Sequence, residues 1–354
     1  MTPTSPRLLF ASGLAAVGVI ALLGWKMAES PPVEVARTAH KPLSLKAPRA
    51  PVPRVAPPSR SSKTTSSAPS KPTGPLARLF ENQSKAFQLT PAQLQAYLAT
   101  NKRNAESLLA ATRLSGEMAF LQEAARNFPA DPAVQLELAL RSEVPEERQR
   151  ALEALRQADP DNALADHLSA FEHLRAGDPE AAFADLILAA SKSRMDIYAS
   201  AALQSSEEAY FAAGYTPVEA KAAAMLGFRF QEVDPLQELS KHLAELQTAY
   251  ADQGDATSAE AVRQMGHALS QQVLSNAQFI LQEVVGMGME QSFLDSANAA
   301  TRQQEIQQRF DGLMSHPKLR ALMFGGSAAD ISLYLDRQKL YGEGAALRWW
   351  IERN

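Results

Sequence analysis

Residues 159–192 read DPDNALADHLSAFEHLRAGDPEAAFADLILAASK, and this stretch decides the fold class. Asp159-Pro160 and Asp178-Pro179 are helix-start signals, because Asp caps a helix N-terminus and Pro fits its first turn. Gly177 separates two segments rich in Ala and Leu, as expected where a helix ends. The spacing predicts a helix near 162–175, a turn at Gly177 and a second helix that begins after it.

The same stretch resembles a tetratricopeptide repeat, a helix–turn–helix unit of about 34 residues. With the closing proline of that family placed on Pro160, the small residue of the first helix falls on Ala170. The small–large–small triplet of the second helix falls on Ala182, Leu186 and Ala189. Small residues there allow two helices to approach closely. The resemblance implies a solenoid of stacked helical pairs with a concave, peptide-binding face.

Weaker copies of the pattern flank this unit. Residues 240–273 match it with Gly254 as the turn, although Gln247 and Arg263 replace a small and an apolar residue. Residues 132–160 form a shortened relative. Further capping signals are Thr90-Pro91, Asp131-Pro132, Thr216-Pro217, Asp234-Pro235 and Ser327 with Asp330. No β-branched run interrupts them, so we predict an all-α body with tetratricopeptide-like repeats over 81–254.

The regular spacing fades after residue 254. We predict a long helix over 256–285 that ends at the sequence Gly286-Met287-Gly288-Met289, because glycines punctuate helices. A helix over 292–314 and a single helix over 327–353 follow. Residues 255–354 are therefore predicted to form a C-terminal helical subdomain that caps the solenoid.

The N-terminus predicts a membrane anchor. Residues 8–25 read LLFASGLAAVGVIALLGW without a charge, and as a helix they span about 27 Å, close to a bilayer core of about 30 Å. We predict a short tail over 1–7 and a transmembrane helix over 8–27. A cleaved signal peptide is the alternative, but no small-x-small cleavage pattern follows the apolar run.

A basic, Pro/Ser-rich linker is predicted over 28–80. The first 80 residues carry eleven Lys and Arg against two Glu, a net +9, while the whole chain is −4; the remainder is therefore −13. Such a segment buries too little apolar surface to fold, so we predict disorder. Anionic lipid or cell-wall polymer could contact its cations, or it could be a ligand-free spacer. Nucleic acid is not expected, because residues 31–79 contain no aromatic side chain for base stacking.

Two orientations in the membrane remain open. A short tail before an apolar run at the extreme N-terminus is typical of export signals. This pattern favours a single-pass protein of a bacterial-type inner membrane whose body lies outside the cytoplasm. The cations that follow the apolar run would instead keep the body in the cytoplasm.

Motifs of enzyme chemistry are missing from the sequence. It has no cysteine, no phosphate-binding Walker loop, no G-x-S-x-G and no H-E-x-x-H among its six histidines. Asp166, Glu172 and His173 lie near one another on the predicted helix, but we interpret them as solvated surface residues rather than metal ligands. We predict no catalytic, metal or cofactor-binding residues and no cofactor.

These observations predict a membrane-anchored helical-repeat scaffold that binds another polypeptide, such as a peptide or an amphipathic helix. The alternative is an envelope hydrolase with a helical catalytic domain. The resemblance implies that the groove of the best repeat is lined by Leu164, His167, Phe171, Leu174 and Arg175. The alternative for Leu164 and Phe171 is packing on a neighbouring helix. A second candidate surface carries Trp349 and Trp350, of which one packs and the other is left exposed.

Overall fold

The computed structural model describes residues 88–318, 321–322 and 326–353, and its regular structure is helical, as predicted. One isolated β-bridge joins Asn162 to Arg194. The helices, numbered in chain order, are α1 (Pro91–Thr100), α2 (Ala105–Ser115), α3 (Met118–Asn127), α4 (Pro132–Arg141), α5 (Pro145–Ala158), α6 (Ala163–Arg175), α7 (Pro179–Ala190), α8 (Ala199–Ala212), α9 (Pro217–Gly227), α10 (Val233–Asp252), α11 (Ala256–Asn276), α12 (Ile280–Gln291), α13 (Ser296–Ser315), α14 (Ala328–Tyr341) and α15 (Glu343–Arg353).

Five of the seven predicted capping signals start a helix. Thr90 and Thr216 form complete capping boxes. The side chains of Asp131, Asp178 and Ser327 each accept a hydrogen bond from the first turn of their helix. These caps satisfy amide groups that have no partner inside the helix.

Two predicted starts are wrong. Asp234 lies inside α10, which begins one residue earlier and has no side-chain cap. Asp159 does not open α6; Asn162 caps it by accepting a hydrogen bond from the amide of Leu164. Asp159 instead pairs with Arg194 and accepts a hydrogen bond from the Tyr198 hydroxyl at 2.6 Å. Its carboxylate therefore binds the segment that joins α7 to α8.

The α6–α7 hairpin forms as the sequence predicts. Ala170, Ala182 and Ala189 are completely buried where the two helices pack. Gly177 makes the turn with φ +78°, a conformation that residues with a Cβ rarely adopt. The hairpins α2–α3 and α4–α5 precede it, and neighbouring hairpins pack on one another along the chain.

A later hairpin crosses the predicted domain boundary. Helices α10 and α11 pack together through a turn at Gly254, which also has a positive φ of +79°. This pair packs on α6 and α7 and so extends the stack. The boundary predicted between residues 254 and 255 lies in the turn of this hairpin.

Helix α12 lies at the centre of the body. Leu281, Val285 and Met289 belong to an apolar cluster shared with α1–α7, α10 and α11. Ile280, Val284 and Met287 belong to a second cluster, shared with α8, α9, α14 and α15. The prediction that a helix ends at Gly286 is therefore wrong. A Cβ on Gly286 would lie 2.9 Å from Leu274, so this glycine allows α11 and α12 to pack closely.

The predicted single helix over 327–353 is two helices. Gly342 has φ +82° and separates α14 from α15, while a Cβ there would lie 2.9 Å from the carbonyl oxygen of Gln278. Glu343 then accepts a hydrogen bond at 3.0 Å from the amide of Ile280, at the N-terminus of α12. Burial raises the pKa of Glu343 to about 7. This carboxyl group therefore caps the central helix.

Among the helices of residues 88–353 that the structure describes, none is both long enough and apolar enough to cross a bilayer. The predicted anchor over 8–27 and the predicted linker over 28–80 lie outside the described residues.

The packing predicts opposite effects for two glycine substitutions. Gly266→Ala in α11 would place a Cβ 2.1 Å from the buried ring of Phe293. We expect it to lower the free energy of unfolding by about 1–3 kcal/mol through overpacking. The control is Gly312→Ala in α13, where a Cβ meets nothing within 4 Å. It should raise stability by about 0.5–1 kcal/mol, because Ala loses less entropy in a helix. Urea unfolding followed by circular dichroism measures both, and equal effects would refute this packing.

Candidate functional site

A cleft lies where the chain curls back on its own N-terminal helices. Helix α8 packs on α2, and the space between them is lined also by α4 and by residues 228–232, which join α9 to α10. Its cavity volume is about 230 Å³. The apolar lining consists of Leu109, Leu136, Leu140, Ile197 and Phe228. We call this space the central cleft.

Local sequence explains why the cleft is open. Leu136 and Leu140 are four residues apart on α4 and therefore lie on one face of that helix. Helix α8 contributes only the small side chains of Ala201, Ala202 and Ser205 to the lining. These small side chains leave space in the cleft that a longer side chain on α8 would fill.

A partly buried ion pair forms the polar part of the cleft. Arg113 of α2 contacts Glu137 of α4 at 2.9 Å and also donates a hydrogen bond to the hydroxyl of Ser205 at 2.9 Å. Arg141 contacts the second oxygen of Glu137 at 2.5 Å. Burial by itself would raise the pKa of Glu137, but the two arginines outweigh it and lower that pKa. Glu137 therefore remains a carboxylate that links α2, α4 and, through Arg113, α8.

Glu232 is a more deeply buried acid of the cleft, with only 3% of its surface exposed. Its carboxyl group accepts a hydrogen bond at 3.0 Å from the side-chain amide of Gln282 on α12. Burial raises the pKa of Glu232 to about 7, and the nearby charge of Glu137 acts in the same direction. Near neutral pH the carboxyl group is thus a mixture of protonated and ionised forms.

Two charged residues lie at the exposed rim. Glu106 and Arg229 are both exposed and line the cleft. Within the described part of the chain, Arg229 has no carboxylate at ion-pair distance. Asp131 also lines the cleft, but its carboxylate already accepts hydrogen bonds from the amides of Ala133 and Val134. Glu106 and Arg229 are therefore the rim charges available to a ligand.

A second buried ionic group corrects the interpretation of Asp166 as a solvated residue. Asp166 is completely buried and pairs with Arg156 at 2.7 Å and with Lys192. Arg156 also contacts Asp185 at 3.0 Å, and His173 lies 3.6 Å from the same carboxylate. Each anion thus has a cationic partner. Across the described residues, no group of three or more His, Asp or Glu side chains could hold a metal ion.

The predicted groove face of α6 is covered by α10. Leu164 and His167 are buried, which corrects their placement on an open surface. The His167 ring hydrogen-bonds to Gln272 of α11, and burial lowers its pKa to about 4. Phe171 stacks on His242 of α10 with ring centroids 6.3 Å apart. The packing alternative stated for Leu164 and Phe171 is the arrangement found.

The outer end of this face remains partly accessible. Leu174 is half-buried and packs against the main cluster. The Arg175 side chain is about half exposed, with its guanidinium 5.5 Å from the centroid of the Phe171 ring. Arg175 also contacts Glu172 at 3.2 Å, so its charge is already paired within the helix.

The two C-terminal tryptophans differ in burial, although the one predicted to be exposed is half-buried. Trp350 is buried, and its indole donates a hydrogen bond at 3.3 Å to the carbonyl oxygen of Lys318. Trp349 is half-buried between the guanidinium groups of Arg337 and Arg353. Trp350 is therefore a core residue, and Trp349 is accessible to a partner.

The central cleft itself was missed from the sequence. Its lining comes from residues 106–140 and 197–232, which meet only because α8 packs on α2. The cap at Asp131 was recognised, but it indicates where α4 starts and not what α4 faces. No local pattern singles out Glu232 or Arg113.

Comparison of the chain with protein-family models, with curated proteins and with solved structures finds no match.

The raised pKa of Glu232 predicts a pH-dependent effect of Glu232→Gln. Between its ordinary value of 4.5 and about 7 the folded protein holds a proton that the unfolded chain has lost. Stability contributed by that proton is present at low pH and is lost as pH rises to about 7. Gln keeps an acceptor for Gln282 and does not ionise. We expect the stability gain of the variant to be about 2–3 kcal/mol larger at pH 8 than at pH 5.

Urea unfolding at the two pH values checks this expectation. Glu106→Gln is the matched control, because it removes an exposed carboxylate from the same cleft. The control should change stability little at either pH. A gain for Glu232→Gln that is equal at both pH values would show that the carboxyl group does not titrate in this range.

Proposed function

We propose that this chain is a membrane-anchored helical scaffold whose body binds another polypeptide in the central cleft. The observation that carries the proposal is the cleft itself: an apolar concave site between helical hairpins, with an ion pair in its lining and the exposed charges of Glu106 and Arg229 at its rim. The apolar run over 8–25 supports attachment to a membrane, and its resemblance to an export signal favours a body outside the cytoplasm.

The size of the cleft favours side chains over a whole cofactor. Pockets for small ligands have volumes of about 300–1,000 Å³, whereas this cavity measures about 230 Å³. One or two apolar side chains of a peptide fit a space of this size between Leu109, Leu136 and Leu140. Burial of a Leu or Phe side chain there would contribute about 1.5–3 kcal/mol.

The polar groups of the cleft suit a peptide backbone and its charges. Arg113 and Ser205 lie beside the apolar wall, where hydrogen bonds can fix the direction of a bound segment. Glu106 and Arg229 at the rim offer one charge of each sign. Rim charges of this kind guide association and discriminate between partners more than they increase affinity.

Glu232 favours a second candidate, a hydrolase that uses this carboxyl group as a general acid or base. A carboxyl group whose pKa is raised to about 7 in a cleft is the group such chemistry needs. The effect of Glu232→Gln on the amount of captured ligand separates the two candidates. In a scaffold this amount stays unchanged. In a hydrolase it rises, because the variant retains its substrate and loses turnover.

Filling the cleft should abolish partner capture. Ala201 is exposed on α8 and lines the cleft, so Ala201→Trp places an indole in the space that a ligand would occupy. Ala212 is exposed on the same helix outside the cleft lining, and Ala212→Trp is the matched control. We expect partners recovered with the wild type and the control to fall at least about tenfold with Ala201→Trp, a loss of about 1.4 kcal/mol or more.

The measurement is affinity purification of each full-length variant from solubilised membranes, with quantitative mass spectrometry. Thermal unfolding of the three proteins shows that the comparison is made between folded chains. Recovery of the same partners in the same amounts with Ala201→Trp would remove the central cleft from consideration.

Attachment to the membrane has its own test. We expect the full chain to stay in the membrane pellet after high-salt and carbonate washes, because an apolar segment of this length inserts and does not depend on charge. A soluble protein with a mature N-terminus near residue 29 would show instead that the segment is a signal peptide. Digestion of the body by protease added outside intact spheroplasts would support the proposed orientation.

A further inference from the structure

An exposed apolar and cationic surface lies at the C-terminal end of the body. Leu333, Arg337, Leu340 and Tyr341 stand at spacings of four, seven and eight residues on α14, so they form one stripe. Leu340 is 66% exposed, Tyr341 63% and Leu333 38%. Three of the seven large apolar side chains exposed in the described residues therefore lie on this single stripe.

Arginines and aromatic rings alternate beside this stripe. The guanidinium of Arg337 lies 5.0 Å from the centroid of the Tyr341 ring and 4.4 Å from the centroid of the Trp349 ring. Arg353 lies 5.2 Å from the centroid of Trp349 on α15. We call Tyr341, Arg337, Trp349 and Arg353 the C-terminal ladder. Stacking on rings holds each guanidinium plane and leaves its N–H edges free for an anion.

The two arginines of the ladder differ from neighbouring lysines in their ion pairing within the described residues. Throughout residues 88–353 as far as they are described, no carboxylate lies at ion-pair distance from Arg337 or Arg353. Nearby lysines behave differently: Lys221 pairs with Asp336 at 2.7 Å, and Lys339 pairs with Glu207 at 2.6 Å. The Nε of Arg337 is buried without an acceptor. Two arginines without a carboxylate partner among the described residues, on a body that is acidic overall, indicate that an external anion completes the site.

We propose that the C-terminal ladder docks the body onto an anionic lipid bilayer. Arg337 and Arg353 donate hydrogen bonds to lipid phosphates, while Leu340 and Tyr341 enter the boundary between headgroups and acyl chains. Long cationic side chains and exposed aromatic residues have this arrangement at membrane interfaces.

Lipid phosphates are favoured over other anions because of the proposed anchor, and in that respect the inference rests on the proposed function. The predicted linker over 28–80 would keep the body close to the membrane that holds the predicted anchor. A tethered surface meets the headgroups at a high effective concentration, so even weak individual contacts dock it. Docking would also fix the direction in which the central cleft faces.

Tryptophan fluorescence of the full chain tests the proposal. The sequence has three tryptophans, and Trp25→Phe leaves only Trp349 and Trp350 as reporters. The probe is vesicles with brominated acyl chains, made either of phosphatidylcholine alone or of phosphatidylcholine mixed with phosphatidylglycerol. We expect brominated lipid to quench the emission in the mixed vesicles and to have little effect in phosphatidylcholine alone.

Variants separate the ladder from non-specific attraction. Arg337→Gln combined with Arg353→Gln should weaken docking of the body on the mixed vesicles, measured as the ratio of quenched to unquenched emission, by about thirtyfold, at about tenfold per 1.4 kcal/mol and about 1 kcal/mol per arginine. The anchor is expected to hold the variant and the parent chain on the vesicles equally. Leu340→Ser changes an exposed side chain and should also reduce quenching without unfolding the protein. Arg348→Gln is the control, because Arg348 is an exposed arginine of α15 outside the ladder.

Each other outcome contradicts the proposal in a recognisable way. Equal quenching in both kinds of vesicle, or quenching that survives in the double variant, would show that the ladder does not bind anionic lipid. Absence of quenching while the anchor stays in the membrane would refute the docking and leave the scaffold proposal standing. Binding of an acidic amphipathic peptide that requires Arg337, without lipid quenching, would assign the ladder to a protein partner instead.

Discussion

The burial of α12 on both sides is the constraint on which the body depends. Two faces of this helix contribute to two different apolar clusters, so it joins the stacked hairpins to α8, α9, α14 and α15. Gly286 makes this possible, because α11 approaches so closely that no Cβ fits there. At its N-terminus the carboxyl group of Glu343 supplies the cap, and its burial is a cost that the hydrogen bond to Ile280 partly offsets.

The position of α12 also determines the cleft. Gln282 of this helix reaches back to Glu232, which lines the central cleft, while the second cluster holds α8 against the rest of the body. With α8 held there, Arg113 bridges Glu137 and Ser205 and closes the base of the cleft. The proposed binding site is therefore a product of the way the chain curls back, rather than of any single hairpin.

Some charged side chains join helices, whereas others are accessible to other molecules. Arg156 links α5 to α6 and α7 through Asp166 and Asp185, and such buried pairs fix which helices lie together more than they add to stability. Arg229 and the arginines of the C-terminal ladder have no such role in the described residues. These groups distinguish the two surfaces proposed to meet other molecules, the cleft for a polypeptide and the ladder for a bilayer.

The sequence by itself determined the local structure. Thr90, Asp131 and Thr216 mark helix starts, and the small residues Ala170 and Ala182 mark where α6 and α7 pack, because caps and close contacts act over a few residues. The register of the repeat also predicts that Leu164 and His167 line an open groove, but α10 covers them. The glycines of α12 predict a helix end, but the helix continues through them. The face of α6 is covered by α10, which lies about 70 positions further along the chain. Packing between helices so far apart in sequence leaves no local pattern. The central cleft, the buried Glu232 and the cover over Phe171 were therefore decided only by the tertiary structure.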